Sequence, residues 1–202
     1  MDAIGEKIEG IGLQNEKEKI EFQNAINELT SAEFESLSAY ILKIAGCETY
    51  WRTPESHDQG LDAFGYLSFL TKPSGEWFAG VPRLILLAQA KHFSTTKVGS
   101  KDIREFIGSK ELAIHKIYST IDDRYSDLDI PPFSPVGLLF ITTEEVPLTV
   151  KRLGVRSGMV ILSSDDLHDL LVSNWTKRPK KLTRAWLLKE LRKSIKNIPK
   201  AN

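Results

Sequence analysis

The sequence contains a single cysteine, Cys47, among 202 residues, which excludes an internal disulfide framework and a four-cysteine zinc site. No uninterrupted apolar run approaches the roughly 20 residues that a membrane-spanning helix needs. The first residues, MDAIGEKIEGIGLQNEKEK, are charged and lack the apolar stretch of a secretory signal. The four histidines show no metal-ligand spacing. We therefore expect a cytoplasmic protein with no membrane partner.

What the sequence does contain is enough apolar material for one ordinary domain, with 41% hydrophobic and 9% aromatic residues. Its net charge of zero hides a strong asymmetry. Residues 177–202 hold ten basic side chains and one acid, which gives 10 − 1 = +9, so residues 1–176 carry 17 − 26 = −9. We divide the chain into a domain at 1–176 and a basic C-terminal helix or tail at 177–202. The tail either contacts nucleic acid, docks on the acidic domain, or dimerises through Trp186, Leu187, Leu188 and Leu191.

The hydrophobic periodicity predicts an α/β fold with a mixed central β-sheet flanked by helices. Thr30 and Glu33 form the pattern of a capping box, and Gly46 supplies a stop, so a helix is expected between them. A further helix begins with Ser164 as its expected N-cap. The predicted helices cover 14–28, 31–45, 101–118, 144–153, 164–175 and 182–197, and the predicted strands cover 48–52, 61–70, 83–90, 136–143 and 158–163, with turn residues at 72–77.

The most hydrophobic predicted strand ends in a polar pair, within the stretch LILLAQAKHF at 84–93. Gln89 and Lys91 are two residues apart, so they point to the same face of a strand. Asp62 comes one strand earlier, after Gly60, which permits a sharp turn. If the two strands pair, the three polar groups converge at one end of the sheet. The alternative is a strand that simply reaches solvent at Lys91.

Such a cluster suits phosphodiester hydrolysis with Mg²⁺ or Mn²⁺, because these cations prefer hard oxygen ligands. Asp62 would supply an anionic ligand and Gln89 a neutral one, while Lys91 would orient or help deprotonate a water and stabilise the charged phosphate. Glu35 lies off the apolar face of its predicted helix and would add a further ligand. A glutamate in a first helical turn also interacts favourably with the helix dipole without any catalytic role.

Five ordered pieces of the sequence resemble the Mrr-like restriction endonucleases of the PD-(D/E)XK nuclease superfamily. They are FESLSAYIL, GLDAFG, LAQAKHF with KVGSKDIREFIGS, GLLFITT and VILSSDDLHDLL. The resemblance implies a three-layer restriction-endonuclease-like core, Asp62 as metal ligand, Gln89 in a Gln-x-Lys variant, Lys91 as catalytic lysine and Glu35 as the helix-borne acid. It also implies DNA restriction or genome defence, and we expect double-stranded DNA as the substrate. Because one site cuts one strand, we expect a homodimer that presents two sites to a duplex. Gln59 replaces a glycine common in this branch, and extra residues stand around 72–82.

Six further residues are candidates for nucleic-acid contact. A loop that enters a helix carries three of them, where backbone amides and lysines suit a phosphate, although an ordinary capped turn fits as well. One histidine follows the catalytic lysine, and two basic residues lie in the C-terminal segment. The candidates are Lys97, Ser100, Lys101, His92, Arg184 and Lys189.

Three rival functions remain open on the sequence. The first is a catalytically silent nucleic-acid-binding module. The second is a nuclease subunit that is activated by a protein partner, which supplies target recognition. The third is a resolvase that prefers branched DNA. The recognised sequence or modification is not encoded in any motif, because specificity comes from base contacts and DNA shape.

Overall fold

A computed structural model describes residues 3–54, 60–68, 83–92, 97–117 and 127–201, with side chains described from residue 15 onward. The predicted turn at 72–77, Gln59 and the middle of the loop before residue 97 lie outside these ranges. None of the described helices combines the length and the apolar composition needed to cross a bilayer. In chain order the elements are α1 Ala3–Asn27, α2 Ser31–Ile44, β1 Thr49–Arg52, β2 Ala63–Leu67, β3 Leu84–Lys91, α3 Ser100–Ile114, β4 Val136–Thr142, α4 Leu148–Arg156, β5 Met159–Leu162, α5 Ser164–Asn174 and α6 Arg184–Ile195.

The described strands form one mixed sheet in the order β1-β2-β3-β4-β5. The β1–β2 and β2–β3 pairs are antiparallel, whereas β3–β4 and β4–β5 are parallel. Leu87 of β3 belongs to the apolar cluster that includes α3 and α4, while Ala88 belongs to the cluster that includes α1, α2, α5 and α6. Helices thus cover both faces of the sheet, which confirms the predicted α/β, three-layer architecture.

The best-predicted helix, α2, begins and ends where local chemistry demands. The Thr30 hydroxyl accepts a hydrogen bond from the Glu33 backbone N–H at 3.2 Å, and the Glu33 carboxylate accepts one from the Thr30 N–H at 2.8 Å. These reciprocal bonds satisfy two of the amides that a helix start leaves without partners. At the other end, Gly46 adopts φ +98°, the left-handed conformation that glycine tolerates best.

Several predicted boundaries were wrong for identifiable reasons. The helix expected at 144–153 begins only at Leu148, because Pro147 disfavours helical backbone in the residue before it. The N-cap of α5 is Ser163 rather than Ser164, and its hydroxyl pairs with Asp166. The strand expected at 61–70 starts at Ala63, so Asp62 lies just before β2. The helix expected to reach 118 ends at Ile114, and Lys116 beyond it adopts a positive φ of 53°.

The basic helix α6 packs against α1 and α2. Leu187, Leu191 and Ile195 are buried in the same apolar cluster as α1, α2 and α5. Arg192 donates to the Glu33 carboxylate at 2.9 Å, and Arg184 pairs with Glu28. These contacts show the basic segment docked on the acidic domain, which is one of the three arrangements that the sequence allowed. The boundary between residues 176 and 177 stays a prediction.

Candidate active site

Asp62 is held at the edge of β3 by backbone contacts on both sides. Its N–H donates to the Ala88 carbonyl at 2.9 Å, and its carboxylate accepts from the Ala90 N–H at 2.7 Å. Its own carbonyl accepts from the Thr53 N–H at 3.0 Å. Asp62 therefore continues the β2–β3 pairing one residue beyond the strand, which fixes its carboxylate beside the end of β3.

The carboxyl group of Asp62 has a pKa raised from 3.8 to about 6. Burial is the main cause, because desolvation disfavours the charged form, and the nearby negative charge of Glu35 adds to it. The Ala90 hydrogen bond and the positive charges of Lys91 and Arg52 act in the opposite direction. These mutual influences place Asp62, Glu35, Lys91 and Arg52 in one electrostatic cluster. A buried carboxyl group with such a perturbed pKa, beside specific charged partners, is a candidate for a functional site.

Gln89 is buried, with 3% of its surface exposed, and its Oε1 has no hydrogen-bond partner among the described residues. A buried carbonyl oxygen without a partner costs about 1–3 kcal/mol, so its retention calls for an explanation. The backbone of Gly60 crosses directly over this amide. A Cβ at Gly60 would stand 2.9 Å from Gln89 Nε2 and 2.7 Å from Ser109 Oγ, and its φ is +60°. The positive φ favours glycine at position 60, and a larger residue there would also have to displace the ends of the Gln89 and Ser109 side chains.

Lys91 ends β3, two residues after Gln89, and is half-buried. Its backbone pairs in register with Thr142 of β4. The ammonium lies close enough to Asp62 to lower the pKa of that carboxyl group. The polar end of β3 is therefore not simply a strand that reaches solvent, because its lysine belongs to the charged cluster around Asp62.

Glu35 approaches the cluster from the first turns of α2 and is half-buried. Its Oε2 lies 3.7 Å from Nε of Arg52. Arg52 also donates through Nη1 to the Ala32 carbonyl at 3.1 Å and to Ser36 Oγ at 3.2 Å. The guanidinium thereby ties the last residue of β1 to the start of α2 and fixes Glu35 near Asp62. Sequence reasoning missed Arg52, and the available signal was its place at the strand end that pairs with Ala63, next to Asp62.

The cluster fits a divalent cation by its donor set. Among the described residues, no group of three or more His, Cys, Asp or Glu side chains is arranged to hold a metal ion. Two carboxylates, those of Asp62 and Glu35, remain, together with the unpartnered Gln89 carbonyl oxygen. Hard oxygen donors of this kind, few in number, suit Mg²⁺, which keeps several water ligands. Asp62, Gln89 and Glu35 are thus the groups that would hold the ion.

The predicted nucleic-acid contacts divide into two groups. At the start of α3, the Asp102 carboxylate accepts from the Gly99 N–H at 2.8 Å, which is the ordinary capped turn that the sequence also allowed. Lys97 and Ser100 are exposed there, and Lys101 lies 3.5 Å from Glu105 in an exposed pair. His92 sits beside α1 and α2 instead.

The His92 Nε2 lies 3.3 Å from the Ile26 carbonyl oxygen, and its ring centroid lies 5.3 Å from that of Phe34. Arg184 is engaged by Glu28 through its side chain and by Glu21 through its backbone N–H at 2.8 Å. Lys189 is exposed on α6. The structure therefore does not gather the six predicted contacts into one patch, and their role stays a prediction.

Part of the chain is similar to a known protein family. Residues 26–123, just under half of the chain, match the model of the Mrr catalytic domain, which is described as a restriction endonuclease. This segment contains every residue of the cluster around Asp62. No curated protein matches the sequence.

A solved structure of the MspJI restriction endonuclease in complex with a 27-mer oligonucleotide is 13% identical to this chain, with a TM-score of 0.48. The similar region covers 83% of this chain and 32% of that one, so this chain spans about a third of the length of the MspJI chain. Residues 26–123 are thus similar to the catalytic domain of the Mrr restriction endonucleases, and this match covers just under half of the chain.

Proposed function

We propose that this protein is a metal-dependent endonuclease that hydrolyses phosphodiester bonds of double-stranded DNA. The observation that carries the proposal is the buried Gln89 carbonyl oxygen, which has no hydrogen-bond partner among the described residues and lies near Asp62, whose pKa is raised to about 6. Buried polar groups without partners are expensive to maintain, and an oxygen-ligated cation would give both side chains a partner. The family match of residues 26–123 supports the same conclusion.

In this proposal Asp62, Glu35 and Gln89 hold Mg²⁺ or Mn²⁺. The bound cation would supply a more acidic water and would offset charge on the phosphate. The chemistry is displacement at phosphorus: a water oxygen forms the new P–O bond, the bond to one sugar oxygen breaks, the water loses a proton, and the departing oxygen gains one. The Lys91 ammonium contributes a fixed positive charge for the phosphate oxygens and a hydrogen-bond partner for the attacking water.

Arg52 has a positioning role in this scheme. Hydrogen bonds to the Ala32 carbonyl and to Ser36 hold the Arg52 guanidinium in place. Its pairing with Glu35 therefore fixes where that carboxylate lies. A carboxylate held in place loses less conformational freedom when it binds a cation or accepts a proton from water.

The biological part of the proposal is restriction or genome defence in the cytoplasm, where the protein shares a compartment with DNA. A homodimer would present two sites to the two strands of a duplex. Contacts from Lys97, Ser100 and Lys101 at the start of α3, and from His92, Arg184 and Lys189, belong to this proposal as phosphate contacts. A protein partner that supplies target recognition is also part of this proposal.

The direct test is cleavage of supercoiled plasmid DNA, methylated and unmethylated, with Mg²⁺, Mn²⁺ or EDTA. We expect nicking or linearisation with either metal and none with EDTA. Asp62→Asn and Lys91→Met should each lower the cleavage rate by about 100-fold or more, since each removes a group that acts on the reacting atoms. Lys180→Ala, an exposed lysine outside the cluster, is the matched control and should cut normally.

Circular dichroism of each variant separates lost chemistry from lost folding. If the folded wild-type chain binds DNA but cuts no plasmid or branched substrate with either metal, the proposal fails in favour of a silent binding module. If cutting appears only when a protein from the same source is added, the chain is a partner-activated subunit. Preference for a four-way junction over a plain duplex would identify a resolvase.

A further inference from the structure

A second polar cavity lies away from the cluster around Asp62. Its volume is about 590 Å³, within the range of about 300–1,000 Å³ typical of small-molecule sites. Helices α2 and α6, strand β1 and the segment that follows α5 enclose it. Four aromatic side chains are among its lining residues: Tyr40, Tyr50, Trp175 and Trp186. The centroids of the two indole rings lie 5.5 Å apart in an edge-to-face arrangement.

The charge of the cavity wall is positive. Lys43, Lys177 and Lys193 line it, against the single acid Glu190, which gives 3 − 1 = +2. The Glu190 carboxylate accepts a hydrogen bond from Lys193 at 2.7 Å, so these two charges offset each other and Lys43 and Lys177 provide the net positive charge. The Lys43 ammonium stands 6.0 Å from the centre of the Tyr50 ring. A ligand that suits this wall carries negative charge.

One lining residue, Trp175, also carries an unmet hydrogen-bond donor, which is itself buried away from solvent. Trp175 is buried, with 8% of its surface exposed, and its Nε1 has no acceptor among the described residues. A buried indole N–H normally finds a partner. The combination of four aromatic rings and three lysines distinguishes this cavity from a chance groove between helices.

We propose that this cavity binds one unpaired nucleotide. Its base would stack on the aromatic side chains, chiefly Trp186, and its phosphate would lie among Lys43, Lys177 and Lys193. Base stacking on aromatic rings is favourable for any base, and lysines bind phosphate as point charges. An acidic peptide would use the lysines and leave the four rings without a role. The nucleotide is either free or part of a DNA strand that is unpaired at that point.

The cavity is separate from the cluster around Asp62 but connected to it through the backbone. Lys43 follows Glu35 by two turns of α2, a distance of about 12 Å along the helix axis. Ile198 lines the cavity, and the next residue, Pro199, accepts a hydrogen bond from the Arg52 N–H at 2.9 Å. Binding in the cavity needs neither a metal nor cleavage, so this proposal does not depend on the nuclease proposal.

Isothermal titration calorimetry in EDTA tests the cavity without any contribution from catalysis. The probes are the four deoxynucleoside monophosphates, inorganic phosphate, a blunt duplex, and the same duplex with a short single-stranded overhang. The cavity variant replaces Lys43, Lys177 and Lys193 together with alanine. Its matched control replaces Lys180, Lys181 and Lys196, three exposed lysines outside the cavity, and thereby removes the same charge. Trp186→Leu removes the stacking ring but keeps apolar volume, with thermal unfolding as its folding check.

We expect the monophosphates to bind the wild-type protein and to bind the cavity variant and Trp186→Leu about tenfold more weakly or worse, since stacking alone contributes that much. The control triple should bind like the wild-type protein. If the wild-type protein also binds the overhang duplex more tightly than the blunt duplex, the bound nucleotide belongs to a DNA strand. Equal affinity for the two duplexes identifies a free nucleotide as the ligand. Three results overturn the proposal. The first is that neither the free monophosphates nor the overhang duplex binds, and the second is that both triple variants lose the same affinity for nucleotide. The third is that inorganic phosphate binds as tightly as the monophosphates.

Discussion

Nε of Arg52 lies 3.7 Å from Oε2 of Glu35, and this contact joins the end of β1 to the start of α2 beside Asp62. The guanidinium is buried, with 6% of the residue exposed, and it also donates to Ala32 and Ser36. The Arg52 backbone is bonded to the C-terminal segment as well, through the Pro199 carbonyl and the Ala201 N–H, each at 2.9 Å. One residue thus connects the candidate catalytic acid to the end of the chain.

The first prediction concerns this buried arginine. Arg52→Lys keeps the charge, but a single ammonium cannot span Ala32, Ser36 and Glu35 as a planar guanidinium does. We expect the free energy of unfolding to fall by about 1–3 kcal/mol, because buried hydrogen bonds to a charged group are lost. Denaturant unfolding monitored by circular dichroism measures this change.

The chain provides its own control for Arg52. Arg192 pairs with Glu33, also in the first turn of α2, but its side chain is 48% exposed. Arg192→Lys should change the free energy of unfolding by less than about 0.5 kcal/mol, as exposed ion pairs contribute little. Equal losses in the two variants would contradict the structural role assigned to Arg52.

The second prediction concerns Gly60, which passes over Gln89. Gly60→Ala places a methyl group against Gln89 and Ser109 at a φ of +60°, so both conformation and packing oppose it. We expect a loss of at least about 1–2 kcal/mol in the free energy of unfolding. Gly108→Ala is the matched control, because α3 leaves open space there. That variant should gain up to about 1 kcal/mol from helix propensity. A neutral Gly60→Ala would mean that the close approach is not maintained in solution.

The third prediction follows from the raised pKa of Asp62. The folded protein holds this proton up to a pKa of about 6, whereas an unfolded aspartate releases it near 3.8. The stabilising effect of the protonated form is therefore complete below about pH 4 and is lost as the pH rises through 6. Asp62→Asn stays neutral throughout, so its stability relative to wild type should increase with pH, by about 1–3 kcal/mol between pH 4 and pH 8.

Unfolding in EDTA at several pH values checks this difference without interference from metal. Asp165→Asn removes a carboxylate that is 61% exposed and should alter stability by less than about 1 kcal/mol at each pH. A constant difference between Asp62→Asn and the wild-type protein across the pH range would show that the Asp62 carboxyl is not desolvated as the structure indicates.

Local signals were sufficient to predict parts of this fold. The capping box of Thr30 and Glu33 lies within four residues, and the alternation around Gln89 lies within one strand, so the sequence displays both directly. The proximity of Asp62 to Lys91 followed from assuming that two predicted strands pair, and β2 and β3 do so in antiparallel fashion. The catalytic roles of these residues stay predictions.

Arg52 and the second cavity could not be found in the same way. The backbone bonds of Arg52 reach Pro199 and Ala201, near the other end of the sequence. The cavity is assembled from α2, β1, α6 and the residues after α5. No short window of sequence contains such contacts, and the charge pattern of the basic segment was compatible with three arrangements, of which nucleic-acid contact was slightly favoured. Only the packing of α6 on α1 and α2 distinguishes them.

The last prediction concerns Gln89, whose carbonyl oxygen has no partner among the described residues and which we propose as a cation ligand. Gln89→Met keeps the length of the side chain but removes the buried polar atoms. In EDTA this variant should be as stable as the wild-type protein or more stable by about 1 kcal/mol, since no unsatisfied oxygen remains. In saturating Mg²⁺ the order should reverse, because the wild-type protein gains binding energy that the methionine variant lacks.

Gln89→Glu completes the comparison with a third carboxylate. Its buried charge beside Asp62 and Glu35 should lower stability in EDTA, and Mg²⁺ should restore it by more than it stabilises the wild-type protein. Thermal unfolding at a series of Mg²⁺ concentrations measures both effects without relying on cleavage. Mg²⁺ shifts that are identical in the wild-type protein and both variants would separate Gln89 from the cation. The unpartnered oxygen would then be a structural cost that metal binding does not explain.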